Sequence, residues 1–189
     1  MTTFGILRAK FRVSWTTVWV GWRGLGAISP WPDRWTDFPP LLSAGELAAY
    51  AGERRASASD QTEFDLEAAL LDPQGEGREA IESVLNRLSD LDPADPALEL
   101  RKWRVIRLQQ VLETMPKDAV YGLIALTEFW QEFGFPPDSP HAVQGRGNSA
   151  APDEYYQREN LDRLLSKHHA WISDEVEAIK KHEVQISPL

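Results

Sequence analysis

Four histidines, a pair of glutamates four residues apart and one glycine-dense loop carry the residue types and spacings closest to known chemistry in this 189-residue chain. His168 and His169 are adjacent, and His182 lies further along the same predicted helix. Neighbours on a helix point about 100° apart, so the adjacent pair cannot chelate one ion. A helical metal pair needs a spacing of three or four, as in H-E-x-x-H, and no two histidines here have it. His168 is expected to be a hydrogen-bonded core residue and His169 a solvated one, with no metal and no cofactor. Glu128 and Glu132 could pair as catalytic carboxylates, but most helical carboxylates face water. They are expected to form a solvated stripe opposite Leu123 and Trp130. No serine sits in a G-x-S-x-G turn, and the chain has no cysteine, so the usual nucleophile signatures fail. Gly145-Arg146-Gly147-Asn148-Ser149 has the composition of an anion-wrapping loop. It lacks the preceding strand and the Lys-Ser/Thr pair of a phosphate loop, and reads as a connector.

Charge is distributed unevenly. Residues 43–100 hold 14 Asp/Glu against 4 Lys/Arg, a balance of −10 in a chain whose total is −9. Such a field repels nucleic acid and anionic membranes and favours a basic partner. Asp60, Glu63, Asp65, Glu67, Asp72, Glu76 and Glu79 fall within twenty residues and form the candidate partner-binding face. Of the eight tryptophans, Trp15, Trp19 and Trp22 recur at helical spacing and read as core. Trp31 and Trp35 lie in a proline-rich loop with no periodicity to bury them. They are either interface anchors or rings that staple the loop to the core.

The elements that would position these residues are helices, since apolar residues recur at helical spacing nearly everywhere. Ser14 caps a helix with the face Trp15, Val18, Trp19, Trp22 and Leu25, stopped by Gly26. Residues 29–40 form an ordered Pro/Trp-rich loop. Ser43 and Glu46 make a capping box for a short helix through Leu47, Tyr50 and Ala51, and residues 52–61 read as loop. Phe64, Leu66, Leu70 and Leu71 mark a third helix. Ile81, Val84, Leu85 and Leu88 mark a fourth, ending before Asp92-Pro93. Asp95 and Pro96 open a long fifth helix, with Leu98, Val105, Leu108 and Leu112 inward, Trp103 and Ile106 alongside, and Pro116 as its end. From Asp118 to Phe133 a very apolar helix has Val120, Leu123, Ile124, Thr127 and Trp130 on one face, with Gly134 at its C′ position. Residues 134–152 are a Pro/Gly-rich loop. One last helix is expected from Asp153 to about Lys181, with Leu161, Leu164, Leu165, His168, Trp171, Ile172 and Ile179 inward. The segment from Phe4 to Val13 reads as a short helix in preference to a strand. The expected fold is all-α, a single domain over 1–189 of about six to eight irregularly packed helices.

At 42% hydrophobic and 26% charged residues the composition is globular. No apolar run reaches the roughly 18–20 residues of a membrane span, and the N-terminus has no signal-peptide pattern. The expectation is a soluble cytoplasmic protein.

The stretch Leu123–Asp138 (LIALTEFWQEFGFPPD), with Tyr155–Ile172 (YYQRENLDRLLSKHHAWI), resembles a bacterial family of unknown function. Its members recur beside polymorphic toxins and are regarded as candidate immunity proteins. Ser14–Trp22 is similar to the family's opening helix and Leu47–Ala51 to the following one, while the loop from His141 to Pro152 departs from the pattern. The shared motifs are helix stops and aromatic anchors, and the resemblance brings no catalytic residue. It implies a cytoplasmic, non-enzymatic immunity protein that neutralises a cognate toxin by direct binding. The partner would be a basic toxin domain, with no nucleic acid and no membrane. The competing readings are an enzyme or enzyme subunit with a dispersed site, which geometry alone would reveal, and a helical adaptor that binds a peptide in a groove.

Overall fold

The computed structural model describes residues 2–24, 41–57, 77–92, 94–146 and 150–186. Among the described residues the protein is all-α, with eight helices and no strand. They are α1 (Thr3–Lys10), α2 (Trp15–Arg23), α3 (Ala44–Ser57), α4 (Gly77–Leu91), α5 (Pro96–Thr114), α6 (Ala119–Glu132), α7 (Pro152–Tyr155) and α8 (Arg158–Ile186). The chain divides into two compact units, Met1–Trp103 and Arg104–Leu189, and the division falls inside α5. No helix among the described residues is long and apolar enough to cross a membrane.

In the first unit the N-terminal segment is a helix. The Thr2 hydroxyl accepts the Gly5 N–H at 3.1 Å, and Phe4 and Leu7 share the buried side. Ser14 and Thr17 form a reciprocal capping box at the start of α2. The helix stops at Gly24, two residues before the expected glycine, because Gly24 takes a positive φ of 65°. Its apolar face is wider than the helical stripe implies. Trp15, Val18 and Trp22 are buried, whereas Trp19, expected in the core, is half-buried, and Thr16, Thr17, Val20 and Gly21 are buried as well. Two partners cause this: α4 packs on α2, and the Trp103 ring closes on the bare Cα of Gly21.

Ser43 and Glu46 box the start of α3 as expected, with Glu46 N–H on Ser43 Oγ at 3.3 Å and Ser43 N–H on Glu46 Oε2 at 3.0 Å. The helix then continues to Ser57, through six residues that composition assigns to a loop. Tertiary contacts override the low propensity of Gly52: Glu53 pairs with Arg8, and the Arg54 guanidinium lies 5.9 Å from the Trp15 ring. Tyr50 meets Phe4 and Trp15 edge-on, at 5.5 and 5.1 Å between centroids, and Phe4 stacks on Trp103 at 5.8 Å. The expected faces of α4 (Ile81, Val84, Leu85, Leu88) and of early α5 (Leu98, Trp103) are all buried. The expected third helix, over Phe64 to Leu71, lies outside the described residues.

In the second unit α5 buries Val105, Ile106 and Leu108, while Leu112 is half-buried. Asp118 caps α6 by accepting the Val120 and Tyr121 N–H groups at 3.0 and 3.1 Å. The helix ends in a Schellman motif, with Gly134 N–H on the Gln131 carbonyl at 3.0 Å and Phe135 N–H on that of Trp130 at 2.9 Å. Its buried face is rotated from the expected one. Gly122, Leu123, Leu126, Phe129 and Trp130 are inside, whereas Val120 and Ile124 are 40% and 38% exposed. Gly122 sets the rotation, since a Cβ there would press on the Met115 side chain, the Pro116 carbonyl and Leu161. The expected last helix is two. Pro152 opens the single turn of α7, pinned by the Tyr155 hydroxyl donating to the Ala142 carbonyl at 2.7 Å, and α8 starts afresh at Arg158.

Candidate functional site

Asp60, Glu63, Asp65, Glu67, Asp72 and Glu76, together with Trp31 and Trp35, lie outside the described residues, and Glu79 is in the first turn of α4. The remaining candidates all belong to the second unit, where the structure separates a surface groove from a buried polar cluster.

The groove runs between the end of α5 and α6 and has a volume of about 210 Å³. Arg107, Val111 and Thr114 line it at helical spacing on α5, followed by Met115, and α6 contributes Ala125, Glu128, Phe129 and Glu132. Arg107 donates to Glu132 at 3.1 Å, between side chains that are about one-third exposed. Glu128 is exposed and has no ion-pair or hydrogen-bond partner among the described residues. The carboxylate pair seen in the sequence is therefore divided, one member solvated as expected and the other bridged to α5. Beside the groove the outer face of α6 exposes Tyr121 at 65% and Ile124 at 38%. Ile124 was expected inside, and the rotation that turns it to solvent originates in Gly122, which periodicity does not weigh.

The buried cluster centres on His168, which is fully buried as expected. Trp130 Nε1–H donates to His168 Nε2 at 2.8 Å, and His168 Nδ1–H donates to the Leu164 carbonyl at 2.6 Å. His141, from the loop after α6, stands 5.6 Å from His168 between ring centroids and shares a 2.8 Å hydrogen bond from Nε2 with the Thr127 hydroxyl. Its Nδ1 is buried without a hydrogen-bond partner. Burial pushes both imidazoles down to about pKa 4, and each is held neutral: His141 also by the neighbouring His168, His168 by His169 and Lys167, against the opposing pull of the Leu164 carbonyl. His169 is exposed. Both His168 nitrogens are committed, and the cluster holds the loop after α6 to α6 and α8.

Next to it, Arg104 reaches Asp138 at 2.7 Å and Glu175 at 3.4 Å and lies 5.0 Å from the Trp171 ring. His141 and Arg104 escaped the sequence reading because His141 lies in a loop and Arg104 draws its partners from that loop and a distant helix. Among the described residues no group of three or more His, Asp or Glu side chains is placed to hold a metal ion. Gly145 takes a positive φ of 71° and Arg146 covers the Phe135 ring at 4.9 Å, while 147–149 lie outside the described residues.

A model of the family described as "uncharacterized protein conserved in bacteria (DUF2247)" matches residues 5–176 of the chain. No curated protein and no solved structure matches it.

Proposed function

We propose that this chain, which belongs to that bacterial family, is a cytoplasmic immunity protein that neutralises a cognate toxin by binding it directly, without catalysis. The observation that carries the reading is the excess of ten negative charges over residues 43–100. Many toxins that act on nucleic acid are basic, and an acidic inhibitor is steered onto such a surface at a high association rate. The internal commitments of His168, Arg104 and the buried Glu99–Lys102 pair support a binding role over a reactive one. The exposed apolar side chains on α6 supply further contact area of the kind that anchors an interface.

The test is co-expression with the toxin encoded beside the gene. Growth should be restored, and the two purified proteins should form a complex whose association slows as salt rises. Growth arrest that persists despite stable expression of the protein would refute the reading.

A further inference from the structure

The groove between α5 and α6 has an apolar floor and an unbalanced rim. Val111, Met115 and Phe129 supply the apolar surface. Arg107, Glu128 and Glu132 supply one positive and two negative charges, and Arg107 is engaged with Glu132. Glu128 is thus a carboxylate beside apolar surface with no cation of its own among the described residues. At about 210 Å³ the groove is smaller than the roughly 300–1,000 Å³ that drug-sized ligands and cofactors occupy. One long side chain is the right scale.

We infer that this groove seats an arginine side chain of a protein partner, its aliphatic stem on the apolar floor and its guanidinium on Glu128. Arginine suits the site better than lysine, because a planar fork can meet one carboxylate with two donors. Tyr121, Ile124 and Glu128 follow one another at i, i+3 and i+7, so they form a single stripe along α6. Tyr121 and Ile124 are exposed beside the groove, where apolar neighbours of the arginine would cover them. Tyrosine and arginine are the residue types in which interface anchors are enriched. This surface includes no residue of the acidic segment 60–79, and its assignment to a protein partner rests on the proposed binding role.

The experiment is a titration of the ¹⁵N-labelled protein with acetyl-Leu-Arg-Leu-amide and, separately, with its citrulline analogue, which keeps the shape and removes the charge. The arginine peptide should shift the backbone signals of Ala125, Glu128 and Phe129 in a saturable way. It should bind about fivefold more tightly than the citrulline peptide, the upper range for an exposed ion pair, and Glu128→Gln should abolish that difference. Equal shifts from the two peptides, shifts confined to other residues, or none at about 10 mM peptide would overturn the inference. Growth rescue in the toxin co-expression test separates the two proposals. Rescue without peptide discrimination removes the groove and keeps the immunity reading. Discrimination without rescue removes the immunity reading and leaves the groove as a docking site for another protein partner.

Discussion

The indole N–H of Trp130 donates to Nε2 of His168 at 2.8 Å, joining two fully buried rings from α6 and α8. Trp130 also meets Phe129 and Trp171 edge-on, at 5.1 and 5.3 Å. Trp130→Ala should therefore cost about 3–5 kcal/mol. Trp130→Phe keeps most of the packing and leaves His168 Nε2 unpaired, at a cost of about 1–3 kcal/mol. If Trp31 and Trp35 anchor a partner, Trp31→Ala and Trp35→Ala should each lose clearly less than Trp130→Ala. Urea denaturation of the four variants gives the order, and a loop variant as damaged as Trp130→Ala would mark that ring as structural.

His141 and His168 make the fold sensitive to acid. Their pKa values sit near 4 in the folded protein and near 6.5 when unfolded. Below about pH 6.5 the unfolded chain binds protons that the folded chain refuses, so the stabilisation is complete above that pH. It declines as pH falls and is lost by about pH 4, on the order of 3 kcal/mol per group. The urea midpoint measured between pH 7.5 and 4.5 should fall through this window, and His141→Gln should flatten the slope. Equal slopes in wild type and variant would show that His141 titrates normally.

Gly21 leaves no room for a methyl group. A Cβ there would enter the six-membered ring of the buried Trp103, and the Trp103 N–H is fixed on the Thr17 carbonyl at 2.9 Å, so the ring cannot turn away. Gly21→Ala should destabilise by at least about 1–3 kcal/mol, the range for overpacking. A double-mutant cycle with Trp103→Leu should show coupling, because the smaller side chain relieves the clash. Additive losses would mean that the backbone of α2 absorbs the methyl group.

The Glu99–Lys102 ion pair, with both side chains 3% exposed at 2.9 Å, joins α5 to the start of α2. Thr17 Oγ1 donates to Glu99 at 2.5 Å, and Lys102 donates to the Arg12 carbonyl at 2.9 Å. Lys102→Met removes a cation from a buried carboxylate, and breaking a buried pair from one side typically costs about 3–5 kcal/mol. Glu99→Gln with Lys102→Met should recover much of that loss. A single variant no less stable than the double would indicate that water reaches the site.

Helices were legible wherever the stripe and its cap agreed. Ser14, Ser43, Asp95 and Asp118 each mark a helix start, and the α4 stripe is buried as read. Errors fell where tertiary contacts outweigh local pattern. Gly52 reads as a break, yet Arg8 and Trp15 hold α3 intact beyond it. Val120 and Ile124 read as core, yet the close approach allowed by Gly122 turns them outward. Of the buried cluster, His168 and Trp130 were legible, because each sits on the apolar face of a long helix. His141 lies in a loop, and its burial depends on Thr127 and His168, which no local spacing connects to it.

The acidic segment carries the last prediction. Asp60, Glu63, Asp65, Glu67, Asp72, Glu76 and Glu79 lie within twenty residues of sequence. Their mutual repulsion opposes folding slightly, and a basic partner would relieve it. The competing role is solubility, which surface acidity also serves. Charge reversal by Asp65→Lys, Glu67→Lys and Asp72→Lys changes the local balance by six units. If the segment steers a toxin, association should slow by about tenfold or more at low salt, and its salt dependence should weaken. Dissociation should change less, since steering acts on encounter more than on the docked contacts. Stopped-flow mixing at two ionic strengths measures both rates, and the co-expression assay should show weaker rescue by the triple variant. An unchanged association rate with full rescue would assign the segment to solubility and move the interface to Trp31 and Trp35.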